Sequence, residues 1–228
     1  MTEPISPLPL FKKIPWLAPL DDAALQRLAA VTSLRRVGVG EMIFTEGDQP
    51  PFLFVVQRGW LKAVKLSAEG REQILDFVGP GQAINLAPMF AGQPSPATLI
   101  ALEESALWTI EQATLLELLG QYPAMARGVI RLLASRLIYT LSLVEDLSLR
   151  SVTGRLAKLL LMQVQHSGEL TLSRRRWATQ AEIAARLGTV PDVAQRALRS
   201  LAKDGLIEVT RQQIIIRDLE GLRAVMQR

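Results

Sequence analysis

Between Val37 and Ile110 the chain alternates short β-like runs with glycine-bearing turns; at Gln112 that texture stops and a helical period takes over. A change of period of this kind marks an α+β chain. The β-like runs are Met42–Phe44, Phe52–Val56, Leu61–Leu66, Gln73–Val78, Ala97–Leu102 and Ala106–Ile110. Turn signals separate them at Glu46-Gly47-Asp48, Arg58-Gly59, Ala68-Glu69-Gly70 and Gly79-Pro80-Gly81. Short strands at regular spacing point to an antiparallel barrel or sandwich. Ahead of them the first forty residues read as helical with breaks, Asp21-Asp22 capping a short helix through Ala30.

After the β-like region, Glu111–Leu119 reads as a short helix, broken near Gly120 and Pro123. A long helix then runs from Ala124 to Leu149. Its apolar positions Ile130, Leu133, Leu137, Leu141, Val144 and Leu147 follow steps of 3, 4, 4, 3 and 3. That is a narrow seam close to a heptad pattern. Such a seam suits either a helix packed on its own barrel or a coiled coil between two copies, and its length and narrowness favour the second. Ser151 is placed to cap a further helix, Val152–Gln165. No Pro- or Gly-rich linker intervenes, so Leu149 and Ser151 are the expected hinge, and a stiff one. The expected organisation is a β domain over 1–122, a dimerisation helix and hinge over 123–150, and a second domain over 151–228.

The most specific local signal lies at Thr179–Ile207. Thr179-Gln180-Ala181-Glu182 is a capping box. It opens a helix, Gln180–Leu187, with Ile183, Ala184 and Leu187 on one face, and Gly188 sits at a sharp turn after it. A second helix, Pro191–Asp204, carries Val193, Ala194, Ala197, Leu198 and Leu201 inward and Asp192, Gln195, Arg196, Arg199 and Lys203 on the other face. Small Ala184 permits a close crossing, as a helix-turn-helix requires. Ile207–Thr210 and Gln213–Arg217, around Arg211-Gln212, read as a β wing. A helix with such a face can enter the major groove of DNA. Arg196 suits a bidentate pair with guanine, Asp192 can accept from a cytosine amine, and Gln195 stands beside them as a third base-contacting candidate. Thr179, Arg199, Lys203 and Arg211 are candidates for phosphate contacts, as is Arg175 within Arg174-Arg175-Arg176.

The charge distribution agrees with an anionic partner for the C-terminal part. Residues 1–145 hold 12 Lys+Arg against 14 Asp+Glu, a net of −2, and residues 146–228 hold 14 against 8, a net of +6. With no Cys, the chain can have no disulfide, thiolate nucleophile or iron–sulfur cluster. With 1 His, it has no site built on two histidines. No nucleophile–base set or phosphate loop is present, and Glu103-Glu104 reads as a turn, so an enzyme is not expected. No apolar run approaches the roughly 18–20 residues of a membrane helix, and Met1-Thr2-Glu3-Pro4 does not open a signal peptide. A cytoplasmic protein with no membrane association is expected.

Taken together, the motifs resemble the CRP/FNR family of bacterial transcription regulators over roughly residues 11–220. The residues that carry the resemblance are Gly40-Glu41, Phe44, Glu46-Gly47-Asp48, Gly59, Gly70-Arg71-Glu72 and Gly79-Pro80-Gly81 in the β region. They continue with Val152-Thr153-Gly154-Arg155-Leu156-Ala157 at the hinge and Thr179 to Gly188 in the helix-turn-helix. The resemblance implies an effector-sensing jelly roll like a cyclic-nucleotide-binding domain, a dimerising helix and a C-terminal winged helix-turn-helix. It also implies a homodimer on a two-fold-symmetric operator in double-stranded DNA, with RNA polymerase as a partner if the protein activates.

The chain departs from the family pattern at two places. The usual Ser/Thr-Arg-Glu opening of the recognition helix is Val190-Pro191-Asp192 here. Proline fits the first helical turn but removes a contact. In the barrel, aligned by Phe90 and Gly92, Leu86 and Ser95 stand where cyclic-nucleotide-binding members carry Glu and Arg, and no Arg or Lys occurs between Gly81 and Ala113. A buried phosphate needs such a donor set, so cyclic AMP is not the expected effector. A small apolar or redox-related effector, or none, is expected instead. Trp60, Leu86, Met89, Phe90 and Tyr139 would line its pocket. No cofactor or metal is expected. The alternatives are a haem-based gas sensor, in which Met89 would be a soft ligand, and a ligand-sensing module acting through a protein partner.

Overall fold

The computed structural model describes residues 6–69, 72–173 and 180–227. The chain divides into two compact units, one built on residues up to Lys65 with Leu75–Ile138, the other on Leu66–Ile74 with Tyr139 onward.

The first unit carries two four-stranded antiparallel sheets. One is made of β1 (Ser33–Val37), β8 (Ser105–Glu111), β3 (Phe52–Arg58) and β6 (Ala83–Ile84), in the order β1-β8-β3-β6. The other is made of β2 (Met42–Phe44), β7 (Thr98–Ala101), β4 (Leu61–Leu66) and β5 (Glu72–Val78), in the order β2-β7-β4-β5. Phe52–Val56 is a continuous apolar run because β3 is covered on both faces, not because it lacks alternation. Phe54 and Val56 face inward with Val37, Phe44, Leu61, Leu99 and Leu107, between the sheets. Leu53 and Val55 face the other way, with Trp108 and Ile110 of β8, into a helical layer.

That layer comprises α1 (Leu8–Phe11), α2 (Asp22–Ala30), α3 (Leu86–Ala91), α4 (Gln112–Gln121) and the first part of α5 (Pro123–Leu149). Phe11, Trp16, Leu17, Leu28, Leu115 and Met125 are its buried centre. Asp21 caps α2 as expected, accepting from the Ala24 backbone N–H at 2.7 Å. The N-terminal segment lies close on α5: a Cβ at Gly128 would fall 2.9 Å from Trp16 Cα, so only glycine fits there.

The second unit contains the rest of α5, α6 (Val152–Ser167), β9 (Thr171–Ser173), α7 (Gln180–Leu187), α8 (Pro191–Lys203), β10 (Ile207–Val209), β11 (Gln213–Ile216) and α9 (Leu219–Met226). Ser151 caps α6 as expected, its hydroxyl accepting from Gly154 N–H at 3.0 Å. The wing is three-stranded, in the order β10-β11-β9, where two strands were expected. Leu156, Leu160, Ile183, Leu198, Leu201 and Leu222 are buried together at the core of this unit.

Candidate nucleic-acid interface

The geometry of the interface begins at the end of α7. Gly188 has φ +63°, the left-handed region that glycine enters at little cost. Thr189 N–H closes α7 by donating to Ala184 O at 2.9 Å. Val190 is extended, and Pro191 opens α8 at a position whose N–H would have no helical partner. Two helices thus meet across three residues, with Ala184, Ala194 and Ala197 buried where they cross.

From Pro191 onward α8 is sharply two-faced. Ala194, Ala197, Leu198 and Leu201 are buried, while Asp192, Arg196, Arg199 and Lys203 are exposed and Gln195 is half-buried. These polar positions recur at helical spacing and form one stripe along the helix. Asp192 lies in the first turn and Lys203 in the last, which suits the helix dipole. Arg186 of α7 is drawn out of this stripe: burial pushes its guanidinium down to about 10, opposed by the charges of Glu182 and Tyr139, so it remains protonated at neutral pH. Arg211 is exposed at the tip of the wing. The tip is held by Thr210, whose N–H donates to Gln213 O at 2.9 Å and whose hydroxyl oxygen accepts from Gln212 N–H at 3.3 Å and Gln213 N–H at 3.1 Å. Thr179 and Arg175 lie outside the described residues.

Four features of this unit were not anticipated from the residues. Gln180, at the start of α7, donates its Nε2 to Gln195 Oε1 at 2.6 Å, tying the two helices together beside the stripe. Nothing local signals this, since the partners are 15 residues apart. On the wing, Arg217 is paired with Glu208 on the adjoining strand. Behind the interface, α9 packs on α6 and is capped by Asp218, which accepts from Gly221 N–H at 2.9 Å. At the expected hinge, Leu149 is exposed and Ser151 is the α6 cap, but the polar contacts converge on Asp146. This buried carboxylate accepts from Arg150 Nε at 2.7 Å and Lys158 Nζ at 2.6 Å. Arg150 also donates to Met226 O at the end of α9. The Asp146–Arg150 spacing of four residues was the available signal.

Along α5 the expected seam is largely exposed. Ile130, Leu137, Leu141 and Val144 all face outward, as do Ile138 and Leu147. Leu133 is a correction: it is half-buried against the core of its own unit. Ala134 is exposed in its place, and the outward series 130, 134, 137, 141, 144, 148 alternates steps of four and three. That is the heptad period, which a step of three followed by two steps of four misses.

The residues expected to line an effector pocket lie in different surroundings. Leu86 and Met89 are buried in the helical core of the first unit, and Phe90 is exposed. Trp60 is half-buried under Gly79, where a Cβ would fall 2.5 Å from its ring. Tyr139 is exposed and belongs to the other unit. At the head of α3, Asn85 is held at φ +75° with its Nδ2 donating to Pro50 O at 3.0 Å and Phe52 O at 2.9 Å. From that anchor α3 runs with Leu86 and Met89 in the core. A cavity of about 440 Å³ in this unit is lined by Pro51, Phe52, Glu111, Gln112, Ala113 and Leu116. Ser95 is buried with its hydroxyl donating to Ala97 O at 2.9 Å. Among the described residues no group of three acidic or histidine side chains is placed to hold a metal, and no helix is long and apolar enough to cross a membrane.

Comparison with known proteins gives this geometry a context. Residues 34–122 match the family described as "Cyclic nucleotide-binding domain", and residues 154–225 match the one described as "Crp-like helix-turn-helix domain". The "CRP-like cAMP-activated global transcriptional regulator" of Mycobacterium tuberculosis is 27% identical over 186 residues, covering 80% of this chain and 83% of that protein. The "Electron transport regulator A" of Shewanella oneidensis is 30% identical over 182 residues, covering 78% of this chain and 72% of that protein. Among solved structures, a crp/fnr-family chain from Eubacterium rectale superposes with a TM-score of 0.75 at 24% identity, covering 94% of this chain and 98% of that one.

Proposed function

The chain belongs to the CRP/FNR family of transcription regulators, which are DNA-binding proteins and not enzymes, and from that premise we propose that it acts as a homodimer whose two α8 helices read a two-fold-symmetric DNA site. The observation that carries this reading is the division of α8 into a buried apolar face and an outward face bearing Asp192, Gln195, Arg196, Arg199 and Lys203. Arg196, Asp192 and Gln195 read base edges, and Arg199, Lys203 and Arg211 hold phosphates. Thr179 and Arg175 join the phosphate contacts on the strength of the sequence alone. The exposed α5 seam supplies the dimer contact, and the two half-sites are expected about one turn of DNA apart. The cytoplasm is the compartment, and RNA polymerase is the partner if the bound dimer activates.

We further propose that the protein does not depend on cyclic AMP, although the relative from Mycobacterium tuberculosis is described as cAMP-activated. In support, Leu86 is buried in the core and the Ser95 hydroxyl is already engaged by Ala97 O, in a stretch without Arg or Lys between Gly81 and Ala113. An anionic phosphate buried there would find no charged donor within that stretch. The effector is small and apolar or redox-related, or absent.

Selection of bound duplexes from a random pool, with and without cyclic AMP, tests both statements. Recovery of the same palindromic motif in both arms is the expected result. No enriched motif would overturn the DNA-reading assignment, and a motif recovered only with cyclic AMP would overturn the second.

A further inference from the structure

We propose that Gln180 is a specificity-determining residue that acts through Gln195, orienting its amide so that the recognition helix selects adenine at one position of each half-site; this rests on the DNA-reading assignment above. Gln180 is the first residue of α7 and Gln195 lies in the second turn of α8. The donor is Gln180 Nε2 and the acceptor is Gln195 Oε1, at 2.6 Å. The backbones that bring them together are fixed by the buried crossing at Ala184, Ala194 and Ala197.

A glutamine amide can meet a base edge in two orientations. Its terminal torsion is broad and roughly two-fold, so oxygen and nitrogen exchange places at little cost. One orientation presents an acceptor where the other presents a donor. In the observed pair Gln180 turns its Nε2 toward Gln195, which favours the orientation with Oε1 facing Gln180 and claims one lone pair of that oxygen. The second lone pair of Oε1 and the Nε2 hydrogens of Gln195 remain available, side by side on one edge. That edge complements adenine in the major groove, where N6 donates and N7 accepts. Guanine presents two acceptors there, and would leave Oε1 facing an acceptor. Gln180 carries no charge and acts on the base only through its partner, so its contribution lies in selectivity and not in general affinity.

The test is duplex selection followed by competition binding with full-length wild type, Q180A, Q180E and Q195A, each confirmed as folded by its unfolding midpoint. The readout is the ratio of affinities for the selected site with adenine and with each other base at every position. Wild type is expected to prefer adenine at two symmetric positions on the order of tenfold. Q195A is expected to abolish that preference. Q180A is expected to reduce it to about twofold or less, with affinity for random-sequence DNA changed less than twofold. Q180E, of equal length but unable to donate, is expected to lose the same preference. A Q180A protein that keeps the wild-type preference at every position would overturn the proposal, and so would a Q195A protein with unchanged selectivity. A wild type that enriches no motif at all would instead overturn the DNA-reading assignment, and this inference with it.

Discussion

The Asp146 carboxylate accepts the Lys158 ammonium on one oxygen at 2.6 Å and Arg150 Nε on the other at 2.7 Å, and so joins the end of α5 to α6 across the bend at Ser151. Arg150 extends the link to α9 through Met226 O, and Arg155 donates to Arg150 O at 3.0 Å. With Asp146 only 7% exposed, this is a buried, multiply bonded charge cluster and not a surface pair. Asp146→Ala takes the shared buried carboxylate from two partly buried cations, leaving Lys158 with the Ser142 hydroxyl and Arg150 with Glu145 and Met226 O. The expected loss is about 3 kcal/mol of unfolding free energy, read by chemical denaturation. Asp146→Ala combined with Lys158→Met is expected to lose less than the two single changes added together, because one stranded charge is gone.

The proposed dimer seam on α5 gives two neighbouring leucines different expected roles. Leu137 is 61% exposed, and Leu133 is half-buried against its own core. Leu137→Lys is expected to give a folded monomer in sedimentation, with DNA affinity lost in proportion. Leu133→Ala is expected to remain dimeric while losing about 1–2 kcal/mol of stability, below the range for fully buried leucines. A dimeric Leu137→Lys protein would show that the seam is not the interface.

What could be read in the residues, and what could not, follows from how local each cause is. The two-faced α8, the turn at Gly188 and the caps at Asp21 and Ser151 depend on neighbours in sequence, and all were legible. β1 was not, because Arg35 and Arg36 mask an edge strand whose only deeply buried residue is Val37. The register of the α5 seam was off at Leu133, since a leucine in the apolar pattern does not say which of two surfaces it covers. The burial of Leu86 and Met89 has a more distant source: α3 starts at Asn85, whose amide bonds the carbonyls of Pro50 and Phe52, more than thirty residues away. The link between Gln180 and Gln195 exists only once two helices have crossed.

Asp76 gives the first unit a pH dependence of definite sign. Burial pushes its carboxyl above the ordinary value of 3.8, and the charge and hydrogen bond of Arg136, at 2.5 Å, pull it only partly back. The folded chain therefore holds this proton more tightly than the unfolded chain. The stability this contributes is complete below the unfolded pKa and is lost as pH rises through the raised folded one. Asp76→Asn cannot ionise and lacks that slope. As pH is raised from about 4, the unfolding free energy of wild type is expected to fall relative to Asp76→Asn, in parallel denaturation series. A difference that stays flat, or moves the other way, would show that Arg136 outweighs burial.

Arg196 and Lys203 lie on the same outward stripe of α8 but are assigned different tasks, and salt separates them. A base-reading arginine acts at one position of the site. Arg196→Ala is expected to cost about 1–3 kcal/mol on the selected duplex and to relax the preference at that position, with little change on random DNA. A phosphate contact acts everywhere and through counterion release. Lys203→Ala is expected to weaken binding to all duplexes alike and to reduce the slope of log affinity against log salt by about 1 per subunit. Fluorescence anisotropy on the selected and scrambled duplexes, over a salt series, reads both quantities at once. If Arg196→Ala changes the salt slope and leaves selectivity intact, the arginine holds a phosphate, and base reading on α8 falls to Asp192 and Gln195.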